Sequence, residues 1–252
     1  MKKIIFIVAM WKRRSVERIT FGHLRRSIDS AGSDDALISV IAVGSEGNES
    51  KSMAERHGFD YIEYPNNPLG KKWNAVWQEA IKKDPDVIVS IGSDTLISKK
   101  AIIEYIKFSN SEVDFMGYEG CLMLDYRKKK SISFDGYFGA RAGESVGCGR
   151  AYSKSLFSRI RKSPFLDTAN KGLDGSFMKS ALQDAPNMSK HIIKSKSEFQ
   201  PIEVKSEVNI WGVEDFNSER NNISKIDYMD CLSRIGDDET ISMIVETFSE
   251  TH

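Results

Sequence analysis

The sequence predicts an α/β fold: a mainly parallel central sheet with flanking helices, followed by a mixed second half. Up to about residue 112, short apolar runs alternate with segments of helical period. Beyond it, strand-and-turn patterns and clustered glycines take over. A length of 252 residues suits one such domain over 1–252, with a first half (1–112) and a second half (113–252).

The elements follow in order. "IIFIV" (4–8) reads as a buried strand. "SVERITFGHLRRSI" reads as a helix capped by Ser15, with Val16, Ile19, Leu24 and Ile28 inward. "ALISVIAV" (36–43) is the second strand, and "ESKSMAERHG" a short helix stopped by Gly58. "DYIEY" is a third strand. Residues 71–83 form a helix with Trp73, Val76, Trp77, Ala80 and Ile81 on one face. "DVIVSIG" (86–92) is the clearest buried strand, and "KKAIIEYIKF" (99–108) the next helix. Such alternation implies right-handed βαβ crossovers.

In the second half, "RKKK" reads as an exposed hairpin tip and glycines gather over 136–149. Helices are expected near 153–161, near 173–182 and over 239–248. The middle one places Leu173, Phe177, Met178, Ala181 and Leu182 on one face.

Lysines and arginines number 36, as do acids, so no global attraction to nucleic acid or acidic membrane is expected. The three cysteines, Cys121, Cys148 and Cys231, show neither a zinc spacing nor a disulfide framework. "MKKIIFIVAMWKRR" opens like a signal peptide, but its apolar run is too short and no small-residue cleavage site follows. A cytoplasmic location without a membrane span is the expectation.

One stretch, "PNNPLGKKWNAVWQEAI", raises a chemical question. Lys71 and Lys72 fall at a helix start, where the partial positive charge favours acids; each costs about 0.3–1 kcal/mol there. Either they turn to solvent or an anion faces them. In open α/β sheets ligands bind beyond the carboxyl ends of the strands. That edge carries "AMWKRR", "GSEGNES", "PNNPLGKK" and "GSDT". Basic clusters and Asp94 thus converge where a phosphate-bearing ligand and a divalent cation would fit. The bland readings are solvated lysines and arginines, and an Asp94 that shapes a turn. No Walker loop, no dinucleotide-binding glycine motif and no Gly-x-Ser-x-Gly elbow is present.

These segments resemble the nucleotide-sugar half of GT-A glycosyltransferases, particularly the large inverting group. "VGSEGNES" stands where that family holds the nucleoside, and Asn67, Gly70, Lys72 and Asn74 form a loose version of its asparagine-glycine segment. "GSD" stands for the Asp-x-Asp metal motif, with Gly92 in place of its first acid. Further on, "GCGRAYSKSLFSRI" looks like the glycine-rich acceptor segment, and "GLDGSF" like the motif that supplies the base. The resemblance covers roughly residues 3–185.

It implies a metal-dependent transfer from a nucleotide-diphosphate sugar, a UDP-sugar first, to an acceptor hydroxyl with inversion. Ala9, Trp11, Arg13, Ser45, Glu46, Lys72, Asn74, Ser93 and Asp94 are the implied donor-binding residues. Asp94 holds Mn²⁺ or Mg²⁺, and His191 stands as a second metal candidate, since some GT-A enzymes use a late histidine. Asp174 is the implied base. Gly147, Gly149, Arg150 and Trp211 lie on the acceptor side, to which Lys205 and Asn209 of "VKSEVNIWG" also return.

The acceptor stays open among a glycan, a small molecule and a hydroxymethylated DNA base, since small viral-type GT-A enzymes have this size. "YRKKK" and "RIRKSP" would then touch phosphates. The rivals are a sugar-phosphate nucleotidyltransferase, which would want glycines after the first strand, and a nucleotide-sugar-binding protein with a decayed site.

Overall fold

The computed structural model describes residues 1–32, 35–206, 212–216 and 221–249. In chain order, the first half runs β1 (Lys2–Ala9), α1 (Arg14–Ala31), β2 (Ala36–Gly44), α2 (Asn48–Arg56), β3 (Asp60–Glu63), α3 (Leu69–Lys82), β4 (Val87–Gly92), β5 (Thr95–Leu96) and α4 (Lys99–Ser109). The second half runs β6 (Phe115–Tyr118), β7 (Cys121–Asp125), β8 (Lys130–Tyr137), β9 (Arg150–Ser153), α5 (Lys154–Arg159), α6 (Leu173–Asp184), β10 (Lys190–Ile193), β11 (Ile202–Lys205), β12 (Asn221–Lys225), α7 (Tyr228–Ser233) and α8 (Asp238–Ser249).

A seven-stranded sheet has the order β10-β6-β9-β4-β1-β2-β3. Its β1–β2, β1–β4, β2–β3 and β6–β10 pairs are parallel, and β9 runs antiparallel to both neighbours. The central strand β1 is apolar on both faces because helices cover both. Its Ile4, Phe6 and Val8 pack with Phe21 and Leu24 of α1 and Ile102 and Tyr105 of α4. Its Ile5 and Ile7 pack with Val76 and Trp77 of α3 and Phe177 of α6. The period of two thus separates the two cores.

A second sheet, β12-β8-β7-β11-β5, stands beside the first. Its Leu122, Leu124, Ile202 and Val204 pack on Val16 and Ile19 of α1, on α7 and on Ile244 of α8. The β7–β8 hairpin closes at Asp125↔Lys130, so "RKKK" is its tip, as expected.

Three local expectations change. The N-cap of α1 is Arg13 rather than Ser15, which lies inside the helix. Leu182 of α6 is 39% exposed rather than packed, because α6 buries only Phe177, Ser180 and Ala181. Helix α3 starts at Leu69, so Lys71 and Lys72 both fall in its first turn.

Candidate functional site

From β1 the chain moves to β2 and β3 on one side, then crosses to β4 on the other. The crevice beyond the ends of β1 and β4 is therefore the switch point where open α/β sheets take ligands. A cleft of about 1030 Å³ opens there. Ala9, Trp11 and Arg13 line it from the β1 side, Ser93 and Asp94 from β4, and Gly147, Arg150 and Asp174 from the second half. These eight sequence-expected residues are brought together.

The floor carries two ion pairs. Arg13 Nη1 lies 3.2 Å from Asp94 Oδ2, with side chains 15% and 10% exposed. The Lys205 ammonium donates to Glu203 Oε2 at 2.5 Å. Burial would lower the Lys205 pKa, but Glu203 and Asp94 together raise it well above the usual lysine range. Val204 N–H donates to the Asp94 carbonyl at 2.7 Å, tying β11 to the loop after β4. The Ser93 hydroxyl is buried and has no hydrogen-bond partner among the described residues.

On the acceptor side, Asp174 sits in the first turn of α6, where the helix favours a carboxylate. Arg150, 1% exposed, donates from Nη1 to the Asp174 carbonyl at 2.7 Å and from Nε to Ser145 Oγ at 3.0 Å. Arg141 Nη2 lies 3.6 Å from Asp174 Oδ2, and its guanidinium stacks 3.7 Å over the Tyr137 ring. A Cβ on Gly147 would stand 3.1 Å from Asp174 Cβ, so a side chain there would crowd the carboxylate. Burial, with Asp174 near, pushes the Tyr137 hydroxyl up to about 12, so it stays protonated at neutral pH.

Lys72 is placed otherwise than the sequence suggests. It is fully buried, and its ammonium donates to Met10 O at 2.6 Å, Ser45 Oγ at 2.6 Å and Asn66 Oδ1 at 3.0 Å. Three protons meet three protein acceptors, so the lysine ties the ends of β1 and β2 to the loop before α3. It does not line the cleft. Burial lowers its pKa to about 8, opposed by Glu46, Glu17 and Glu63. Lys71 is exposed.

Ser45, Glu46 and Asn74 are likewise behind the wall. Glu46 Oε2 accepts from Lys12 N–H at 3.0 Å and Arg14 Nη2 at 2.9 Å. Arg14 also bonds Glu17, whose pKa burial raises although Arg14 draws it down. Asn74 donates to Phe165 O at 2.8 Å and accepts from Phe165 N–H at 3.0 Å, pinning the loop before α6. Gly70 serves the same contact: its N–H donates to Ala169 O at 2.8 Å, and a Cβ would collide with the Leu166 carbonyl.

His191 is a correction. It is exposed on the edge strand β10, three strand spacings of ~4.8 Å each from β4, and cannot share an ion with Asp94. Gly149 (φ +75°) is not on the cleft surface; it turns the chain into β9, its N–H donating to Ser90 O at 2.9 Å. Trp211, like Asn209, lies outside the described residues. Lys205 does return to the cleft, as expected.

Sequence reasoning did not select Arg141, Tyr137 or Glu203. Arg141 sits in the glycine-rich 136–149 stretch, and a signal existed in Tyr137 four positions before it. Glu203 had none, because strand β11 reaches the site by pairing with β7 and β5, both far from it in sequence.

No family model matches the chain, and no curated protein matches it. Solved structures do. TarS residues 1–349 from S. aureus align at 14% identity over 81% of this chain and 60% of that one, with a TM-score of 0.54. The same protein in complex with UDP-GlcNAc aligns at 12% identity over 98% of this chain and 71% of that one, at 0.55. The mannosyltransferase PcManGT from Pyrobaculum calidifontis, in complex with GDP-Man and Mn²⁺, aligns at 12% identity over 81% and 57%, at 0.50. The chain thus spans about 60% of the first of these. Its mixed α/β architecture is that of GT-A glycosyltransferases.

Proposed function

We propose that the chain transfers a sugar from a nucleotide-diphosphate sugar, a UDP-sugar first, to an acceptor hydroxyl with inversion. One observation carries the reading. The Arg13–Asp94 pair at the switch point and Asp174 on α6 face the same cleft.

Arg13 binds the diphosphate by charge, and Lys205 adds a second cation behind Asp94. Ala9, Trp11 and Ser93 border the donor; Ser45, Glu46, Lys72 and Asn74 act from behind by fixing the loops. Asp174 takes the acceptor proton. Arg141 and Arg150 hold its carboxylate, and Gly147 leaves room beside it. Attack from the Asp174 side inverts the anomeric carbon.

The expected Mn²⁺ or Mg²⁺ fits in chemical type. Asp94 offers a carboxylate oxygen on the cleft surface, and the Ser93 hydroxyl, without a partner among the described residues, precedes it in sequence; Arg13 and Lys205 bring positive charge to the same carboxylate. Asp94 would hold the ion, the remaining oxygens coming from phosphate and water. Its chemistry is to stabilise charge on the departing diphosphate. An ion held there would compete with Arg13 for the Asp94 carboxylate.

Tyr137, beside Arg141 and Asp174, and Phe138 line the cleft on the acceptor side and suit an acceptor with a flat ring face. A glycan, a small ring alcohol and a hydroxymethylated DNA base all meet that requirement. Against long DNA contacts, Lys128 is paired with Glu214 and Arg161 with Asp184, and the hairpin tip lies four residues along β7 from Cys121 at the cleft, ~13 Å away.

The test incubates the chain with UDP-, GDP-, CMP- and dTDP-sugars and an acceptor panel that includes duplex DNA with hydroxymethylated bases. Release of nucleoside phosphate coupled to glycosylated acceptor is expected. Pyrophosphate release from a nucleoside triphosphate and a sugar phosphate would instead establish a nucleotidyltransferase. Donor binding without turnover would establish a decayed site.

A further inference from the structure

We propose that Cys121, Cys148 and Glu203 form a binding site for one Zn²⁺ ion in the wall of the cleft, distinct from the Asp94 carboxylate. Their ligand atoms all lie within 4.8 Å of one another. A modest inward movement of three side chains brings them to the spacing of a tetrahedral zinc shell. All three residues line the cleft, which gives an ion its entry path.

The fold assembles this set from three distant segments. Cys121 opens β7, and Glu203 sits on β11 beside it, where Ile202 pairs with Leu122 and Glu203 with Met123. Cys148 lies just before β9, held by the Gly149 N–H bond to Ser90 O. The two thiols are within hydrogen-bonding reach of one another. Both residues are buried, at 1% and 5% exposure. The separation of these residues along the chain hides the set from any reading of cysteine spacing.

The chemistry selects the ion. Two sulfurs and one oxygen favour Zn²⁺ over Mg²⁺ or Mn²⁺, which take oxygen. The charge also balances. Each thiol loses its proton as Zn²⁺ enters, so two positive charges leave and two arrive. Glu203 accepts from Lys205 at Oε2, and its carboxylate has a second oxygen besides. Neither cysteine is oxidised.

The probe is Co²⁺, added to the whole chain with a phosphine reductant that keeps the thiols reduced. One equivalent is expected to give a thiolate-to-cobalt charge-transfer band with tetrahedral ligand-field absorption, both abolished by one equivalent of Zn²⁺. Cys121→Ser and Cys148→Ser should each lose most of the band. Glu203→Gln should bind at least tenfold more weakly. Cys231→Ser should match the wild type, because Cys231 is buried on α7 in a separate cluster. Affinity should rise roughly 100-fold per pH unit while two protons are released on binding. Absence of the band in the wild type, where folding is not in question, overturns the proposal. So does a band that survives in both Cys121→Ser and Cys148→Ser, or an affinity indifferent to pH.

Discussion

Arg13 Nη1 stands 3.2 Å from Asp94 Oδ2, so the loop after β1 and the loop after β4 are clasped across the switch point. Arg13 is then a competitor for any cation at Asp94. Without donor, Arg13→Ala should bind Mn²⁺ several-fold more tightly than the wild type, by calorimetric titration. With donor, the same variant should bind the nucleotide sugar about tenfold more weakly, the loss of one charge-assisted contact of ~1.5 kcal/mol. Equal Mn²⁺ affinity in both proteins would remove the competition from the account.

Asp174→Asn keeps the side-chain size and the backbone carbonyl that Arg150 holds. Donor affinity should stay within twofold, while transfer falls by about 10²–10⁴, the range for losing a positioned base. Loss of donor binding in this variant would move Asp174 from the acceptor side to the donor side.

Lys72 predicts a stability effect with a defined pH sign. Its folded pKa of about 8 lies below the ordinary 10.5, so between these values the unfolded chain binds more protons. Stability contributed at this site therefore rises with pH across that window. Lys72→Met should be destabilised at pH 7 by about 2–4 kcal/mol, because three acceptors lose their donor. The gap to the wild type should widen by about 2 kcal/mol between pH 7 and 9.5 in urea unfolding. A gap that stays constant across that window would mean that the folded pKa is not lowered.

Asp237 predicts the opposite limb. Burial alone would raise its carboxyl, but hydrogen bonds from Thr240, Arg26 and His23 hold it at about 2. Its contribution to docking α8 on α1 is present above the ordinary carboxylate pKa and is lost as pH falls from about 4 towards 2. Asp237→Asn should cost about 1–2 kcal/mol at pH 7 and almost nothing at pH 2, read by chemical denaturation. A constant cost at both values would assign the loss to shape rather than charge.

The first half was legible because its physics is local. Apolar runs and helical period place β1, β4 and α3 within a few residues, and the strand ends then list Arg13 and Asp94. Tertiary contacts decided the rest. Lys72 and Lys71 are neighbours in sequence, yet one is fully buried and the other exposed, since α3 turns only one of them toward Met10 O. Asn74 fits a family motif by position but is used to hold Phe165. His191 offered a suitable ligand atom, and only strand order shows it at the wrong edge. Glu203 reaches Cys121 through β7–β11 pairing, and Cys148 arrives on the turn into β9, contacts with no local pattern.

The most direct measurement is the thermal shift of the chain with each nucleotide-sugar class, with and without Mn²⁺, for the wild type and Asp94→Ala. A ligand at a hundredfold excess over its dissociation constant stabilises the native state by ~2.7 kcal/mol, enough to read. The cleft described here predicts a clear, Mn²⁺-dependent shift with one nucleotide class that Asp94→Ala loses. No shift with any donor, or one that Asp94→Ala keeps in full, would contradict a nucleotide-sugar site at the end of β4.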